Sequence, residues 1–170
     1  MIRVKKAFIN CFSITLCCFS LAVNAGDLNL TSGEVFERIK SLQGDWKKAG
    51  DTAGNFHINF SQTARDTVMV ENWLYKGESH SLTIYHMDKG HLLATHYCPQ
   101  GNQPRLQLTS SDESGQIEFS FKDATNLEGL EEDHQHSLAF EWLEDDKILR
   151  TESYMENGEI KPSSIRLVRK

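Results

Sequence analysis

Histidine is the side chain whose ordinary titration lies nearest neutral pH and whose neutral ring nitrogens bind metals. Five of the seven histidines in this chain, His80, His86, His96, His134 and His136, sit in or beside short segments of alternating polarity. Side chains two apart in a strand share a face, so His134-Gln-His136 presents both rings to one side, and Ala94, His96 and Cys98 share another. Arg105 follows closely in Gly101-Asn-Gln-Pro-Arg105 and can grip an anion.

Three kinds of chemistry follow from such a set. An amphipathic small molecule can be held by an apolar floor and by Arg105, His96, His134, His136, Asn102 and Asn126. A transition metal or haem can be held by imidazole and thiolate, the candidate ligands being His80, His96, Cys98, His134 and His136. Acid–base catalysis is the third use. Each residue also has a structural reading: Cys98 as a packed small side chain, Asn102 as a turn former, and Arg105 as a partner of the acidic loop that follows Ala124.

These residues need strands to position them. Phe56, Ile58 and Phe60 alternate, as do Val68 and Val70 within Thr67 to Tyr75, and Leu82 and Ile84 within Ser79 to Met87. The series continues with Leu92 to Cys98, Arg105 to Thr109, Ile117 to Phe121, Leu138 to Trp142, Ile148 to Met155 and Ser164 to Val168. Turn chemistry separates them at Asp88-Lys-Gly90, Ser111 to Gly115, Glu144-Asp-Asp146 and Glu156-Asn-Gly158. Ahead of the strands, Thr31-Ser-Gly-Glu34 has the form of a capping box, and Val35, Phe36, Ile39 and Leu42 follow at helical spacing. A short helix over Gly33 to Ser41 is expected, with Trp46 plugging the closed end beyond it.

Nine or more strands joined by tight turns, with one N-terminal helix, predict an all-β, up-and-down antiparallel barrel or strongly curled sheet. A meander brings His80, His96, Cys98, Asn102, Arg105, Asn126, His134 and His136 to one strand end, with His86 and His91 at the other. Matching apolar faces across the Asp88-Lys-Gly90 turn sets Ile84 opposite Ala94, Leu82 opposite His96 and His80 opposite Cys98.

Compartment and partners follow from composition. Met1 to Lys6 is basic, Ala7 to Val23 is largely apolar, and Val23-Asn-Ala25 supplies small residues before Gly26, which predicts a Sec signal peptide over 1–25 and a periplasmic or secreted protein. The remaining 26–170 is then one domain, carrying Cys98 alone and 15 basic against 24 acidic residues. That balance disfavours nucleic acid and anionic membranes as partners, and no stable membrane insertion is expected after cleavage. There is no Gly-rich phosphate loop, no Gly-x-Ser-x-Gly elbow and no Cys-x-x-Cys, so the common enzyme classes lose support.

Leu42-Gln-Gly-Asp-Trp46, Tyr85-His-Met-Asp88, Thr95-His-Tyr-Cys98, Gly101-Asn-Gln-Pro-Arg105 and Asp133-His-Gln-His-Ser137 together resemble an uncharacterised bacterial family of calycin-like proteins. The resemblance runs from about Phe36 onward and is most specific from Tyr85 through Arg105. It implies a lipocalin-like barrel and transfers no established activity.

Overall fold

The computed structural model describes residues 30–112 and 115–170; the expected signal segment, 1–25, lies outside them. A helix, α1 (Ser32–Lys40), is followed by β1 (Gly44–Lys48), β2 (Phe56–Thr63), β3 (Val68–Tyr75), β4 (Glu78–Asp88) and β5 (His91–Tyr97). Then come β6 (Gln103–Ser111), β7 (Gln116–Thr125), β8 (His134–Leu143), β9 (Lys147–Glu156) and β10 (Glu159–Arg169). Every strand pairs antiparallel with its sequence neighbours, and β1 pairs with β10 to close the barrel. The expected up-and-down barrel with one short helix is the observed fold.

The helix starts where its capping box says it should. Thr31 Oγ1 accepts from the Glu34 backbone N–H while Glu34 accepts from the Thr31 backbone, an arrangement worth about 1 kcal/mol. Val35, Phe36 and Ile39 go under the barrel and join Leu42, Trp46, Met69, Leu92, Phe119, Leu138 and Phe140 in one core. Trp46 is buried as expected, donating its indole N–H to the Leu42 carbonyl at 2.6 Å. One pole is thus sealed by α1. The opposite pole carries the starts of β2, β4, β6, β8 and β10.

Turn geometry corrects the expected register. The β4–β5 hairpin is a two-residue turn in which Lys89 and Gly90 both have positive φ and Asp88 pairs with His91. Tyr85 therefore opposes Ala94, Thr83 opposes His96 and Leu82 opposes Tyr97, one residue away from the apolar-matched register. A one-residue shift turns a strand over. Thr83 and Tyr85 face the interior, fully buried, while Leu82 and Ile84 lie half-buried on the other side. The same inversion occurs on β3, where Met69 and Glu71 are inside and Val68 and Val70 are not. His80 is the extra residue of a bulge, since Trp73 pairs with Ser81 and Leu74 with Ser79.

The closing seam covers only part of the wall. β1 reaches Trp46 to Lys48 against Leu167 to Arg169 of β10, so the length of β10 around Pro162 pairs with β9 alone. Proline lacks an N–H and is tolerated where no second ladder needs one. This open edge lets β10 begin at Glu159, earlier than the expected Ser164. It also leaves a slot of about 180 Å³ in the wall between β2 and β10.

Candidate functional site

Charged residues occupy core positions on two strands. On β9 the interior face runs Ile148, Arg150, Glu152, Tyr154, and on β3 it runs Met69, Glu71, Trp73. Arg150 is 1% exposed and lies between two carboxylates: Nε is 2.8 Å from Glu71 Oε1, and Nη1 is 2.7 Å from Glu152 Oε2. Its guanidinium carbon sits 4.9 Å from the Trp73 ring centroid and 5.9 Å from that of Phe140, both within cation–π range. Glu71 also accepts from Trp73 Nε1 at 2.6 Å and from the Tyr85 hydroxyl. Burial works against the Arg150 charge, but Glu152 and Glu71 outweigh it and hold its pKa above the ordinary arginine value. Burial likewise works against ionised Glu152, and Arg150 outweighs it and lowers the Glu152 pKa. Arg150 Nη2 and Nε are both buried without a hydrogen-bond partner among the described residues, so the contact of Nε with Glu71 is an ion pair and not an aligned hydrogen bond.

Outward from this network, toward the open pole, is a cleft of about 230 Å³. Phe56, Trp73 and Tyr154 supply aromatic walls; Glu152, His96, His80 and Ser81 supply polar groups, and Pro99 closes one side. His96 is 3% exposed and its Nδ1 lies 3.0 Å from Thr83 Oγ1, with Nε2 3.4 Å from the Tyr154 hydroxyl. Burial first, and the Arg150 charge second, lower its pKa from 6.5 to about 4, so at neutral pH the ring is uncharged. Tyr154 is pushed up by burial and by Glu152, which keeps the phenol protonated. Phe56 and Trp73 also line the wall slot, whose other walls include Trp46, Ile58, Ile165 and Leu167. A polar chamber and an apolar slot thus meet across two rings.

No protein-family model matches this chain, and no curated protein matches it either. The chemistry of the site therefore rests on its own geometry.

Of the residues singled out in the sequence, His96 and His80 line the cleft, and half-buried Cys98 directly precedes its Pro99 wall. Burial raises the Cys98 thiol pKa, and Sγ donates to Gln100 Oε1 at 3.2 Å. His134 and His136 pack elsewhere, against Phe121 where β7 and β8 stop pairing; the Phe121–His134 ring centroids are 4.5 Å apart. A bulge between Gln135 and Ser137 breaks the expected alternation there, so Gln135 is the β8 residue that bonds Glu152, at 3.2 Å. Asn102 donates to the Asp133 carbonyl at 2.8 Å and Asn126 to the Gly101 carbonyl at 3.0 Å, tying the 98–102 and 126–133 loops together at the rim. Arg105 is on the outer surface in a two-bond pair with Asp123, Nη2 to Oδ2 being 2.6 Å. His86 and His91 are at the other end of their hairpin, as expected.

Among the described residues no three or more His, Cys, Asp or Glu side chains converge in a way that could hold a metal ion. The set His80, His96, Cys98, His134 and His136 divides between the cleft and the β7–β8 seam, and both His96 nitrogens already face protein hydroxyls. The five candidates therefore do not converge into one metal-ligating set among the described residues.

Glu71, Tyr85, Arg150, Glu152 and Tyr154 were not among the candidates from sequence. Their signal lay in strand phase: Ile148-x-Arg150-x-Glu152 and Met69-x-Glu71-x-Trp73 put opposite charges in step with core residues on different strands.

Proposed function

We propose that this chain is an exported barrel that binds a small amphipathic molecule in the cleft lined by Phe56, Trp73, His96, Glu152 and Tyr154. The observation that carries the reading is the union of three aromatic walls with a carboxylate and a neutral imidazole at the pole that α1 does not seal. Apolar walls supply affinity through burial, and the few polar groups orient the ligand. At about 230 Å³ the cleft is below the roughly 300–1,000 Å³ of drug-sized sites, so the ligand is small, or its apolar part continues into the wall slot. Export rests on the basic and apolar opening of the sequence.

Binding is favoured over acid–base catalysis because His96, the one deeply buried imidazole of the cleft, has hydroxyls at both nitrogens. In this reading Asn102 and Asn126 brace the rim. Arg105, His134 and His136 support the wall.

Filling the cleft tests the assignment. With 2-phenylethanol as a neutral probe and ligand-observed NMR as readout, Ser81→Trp is expected to weaken binding by at least about tenfold, some 1.4 kcal/mol. Arg105→Ala, on the outer surface, should leave it unchanged. His80→Trp, at the exposed bulge, serves as a second block if the first variant unfolds. Probe binding that survives both blocks, or that falls with Arg105→Ala, contradicts the site.

A further inference from the structure

Resting on that reading, we infer that the polar head recognised in the cleft is a cation, an ammonium or amidinium group carried on an apolar body. Among the described residues the interior holds two carboxylates, Glu71 and Glu152, and one guanidinium, Arg150, ion-paired with both. One negative charge is left over. Glu71 is fully buried behind Trp73 and Tyr85, so the surplus is available to a ligand only at Glu152, whose side chain is 21% exposed and lines the cleft.

Atom by atom the same answer emerges. The protein donors to Glu152, Arg150 Nη1 and Gln135 Nε2, both bond Oε2. Oε1 receives no hydrogen bond from the described residues, and Glu152 lines the cleft. Apart from His80 on the exposed bulge, no group lining the cleft supplies a compensating positive charge. His96 is kept neutral, the Tyr154 phenol and the Cys98 thiol stay protonated, and Arg150 stands behind Glu152 and does not line the cleft. A ligand carboxylate or phosphate would meet the like charge of Glu152 across the cleft, which disfavours an anion there. An ammonium would gain a charge-assisted hydrogen bond to Oε1. Its substituents would lie against the faces of Phe56, Trp73 and Tyr154, which attract cations, and the slot beyond Phe56 and Trp73 would take a longer apolar tail.

Three probes of matched size separate the possibilities: 2-phenylethylammonium, 2-phenylethanol and phenylacetate, titrated into the intact barrel near neutral pH. The expected order is ammonium first by at least about tenfold over alcohol, with phenylacetate weakest. Glu152→Gln keeps the shape and should abolish the preference for the ammonium over the alcohol. Phenylacetate binding as tightly as the ammonium, or an ammonium preference unchanged in Glu152→Gln, overturns the inference. If Glu152→Gln does not fold, the wild-type order of the three probes decides. Alcohol binding that is blocked by Ser81→Trp but shows no ammonium preference removes the cation and keeps the site; no binding by any of the three removes both.

Discussion

Replacing Arg150 with methionine is expected to lower the folding free energy by about 3–5 kcal/mol at neutral pH, the largest loss from any single change at a polar position in this barrel. Methionine fills much of the same space between Trp73 and Phe140, so the loss is not mainly one of packing. What it removes is the guanidinium that is ion-paired with both Glu71 and Glu152. A stranded carboxylate can escape by taking up a proton, and for a group of ordinary pKa near 4.3 that costs about 4 kcal/mol at pH 7, which matches the expected size. Two consequences follow. The penalty should shrink as pH falls toward 5, because protonation becomes cheaper. Adding Glu71→Gln and Glu152→Gln to Arg150→Met should recover most of the stability, since a neutral set leaves no unpaired charge. Urea unfolding of the three proteins at two pH values checks this; a loss below about 1 kcal/mol for Arg150→Met would mean that the network is not electrostatically coupled.

His96 gives the second large effect. Its folded pKa is about 4 against an ordinary 6.5, so between those values the unfolded chain binds a proton that the folded chain does not. Stability from this group is therefore complete above pH 6.5 and is lost as pH falls toward 4. The full shift corresponds to about 3 kcal/mol, most of it spent by pH 4.5. Glu152, whose pKa is lowered, contributes in the same direction but at more acidic pH, below the ordinary carboxylate range, so the window from 6.5 to 4.5 isolates the histidine. His96→Asn is expected to be less stable at neutral pH, having lost its ring packing beside Tyr154, yet nearly flat across that window once other groups are subtracted. The two stability curves converge on acidification. Parallel curves would show that folding does not lower the pKa of His96.

The barrel was legible in the sequence because its signals are local. Thr31 and Glu34 cap a helix with only their neighbours' help, and Asn157-Gly158 turns the chain with positive φ at both residues. Alternation along each strand then announced the strands themselves. It did not announce which face goes inside. On β3 and β4 the more apolar phase, Val68 and Val70 or Leu82 and Ile84, is the outward one, and the inward phase carries Glu71, Thr83 and Tyr85. Those residues are acceptable inside because Arg150 and His96, far along the chain, meet them there. A pairing of that range is fixed by register, and register turned on whether the β4–β5 loop has two residues or three. The histidine grouping was legible as a shared strand end and no further. His96 turns inward beside Thr83, whereas the bulge at His136 sends the β8 histidines to Phe121.

The claim on which the rest depends is that ligand enters at Trp73, between the charged interior and the open pole. The chain has three tryptophans, and each marks a different place: Trp73 on the cleft, Trp46 on the wall slot, and Trp142 under Arg38 of the helix. Indole N–H signals in a ¹⁵N-correlated NMR spectrum report all three at once during a titration with 2-phenylethylammonium. A saturable shift of the Trp73 signal is expected, with or without Trp46, while Trp142 stays stationary. A shift confined to Trp142, or none at millimolar probe, would contradict that claim.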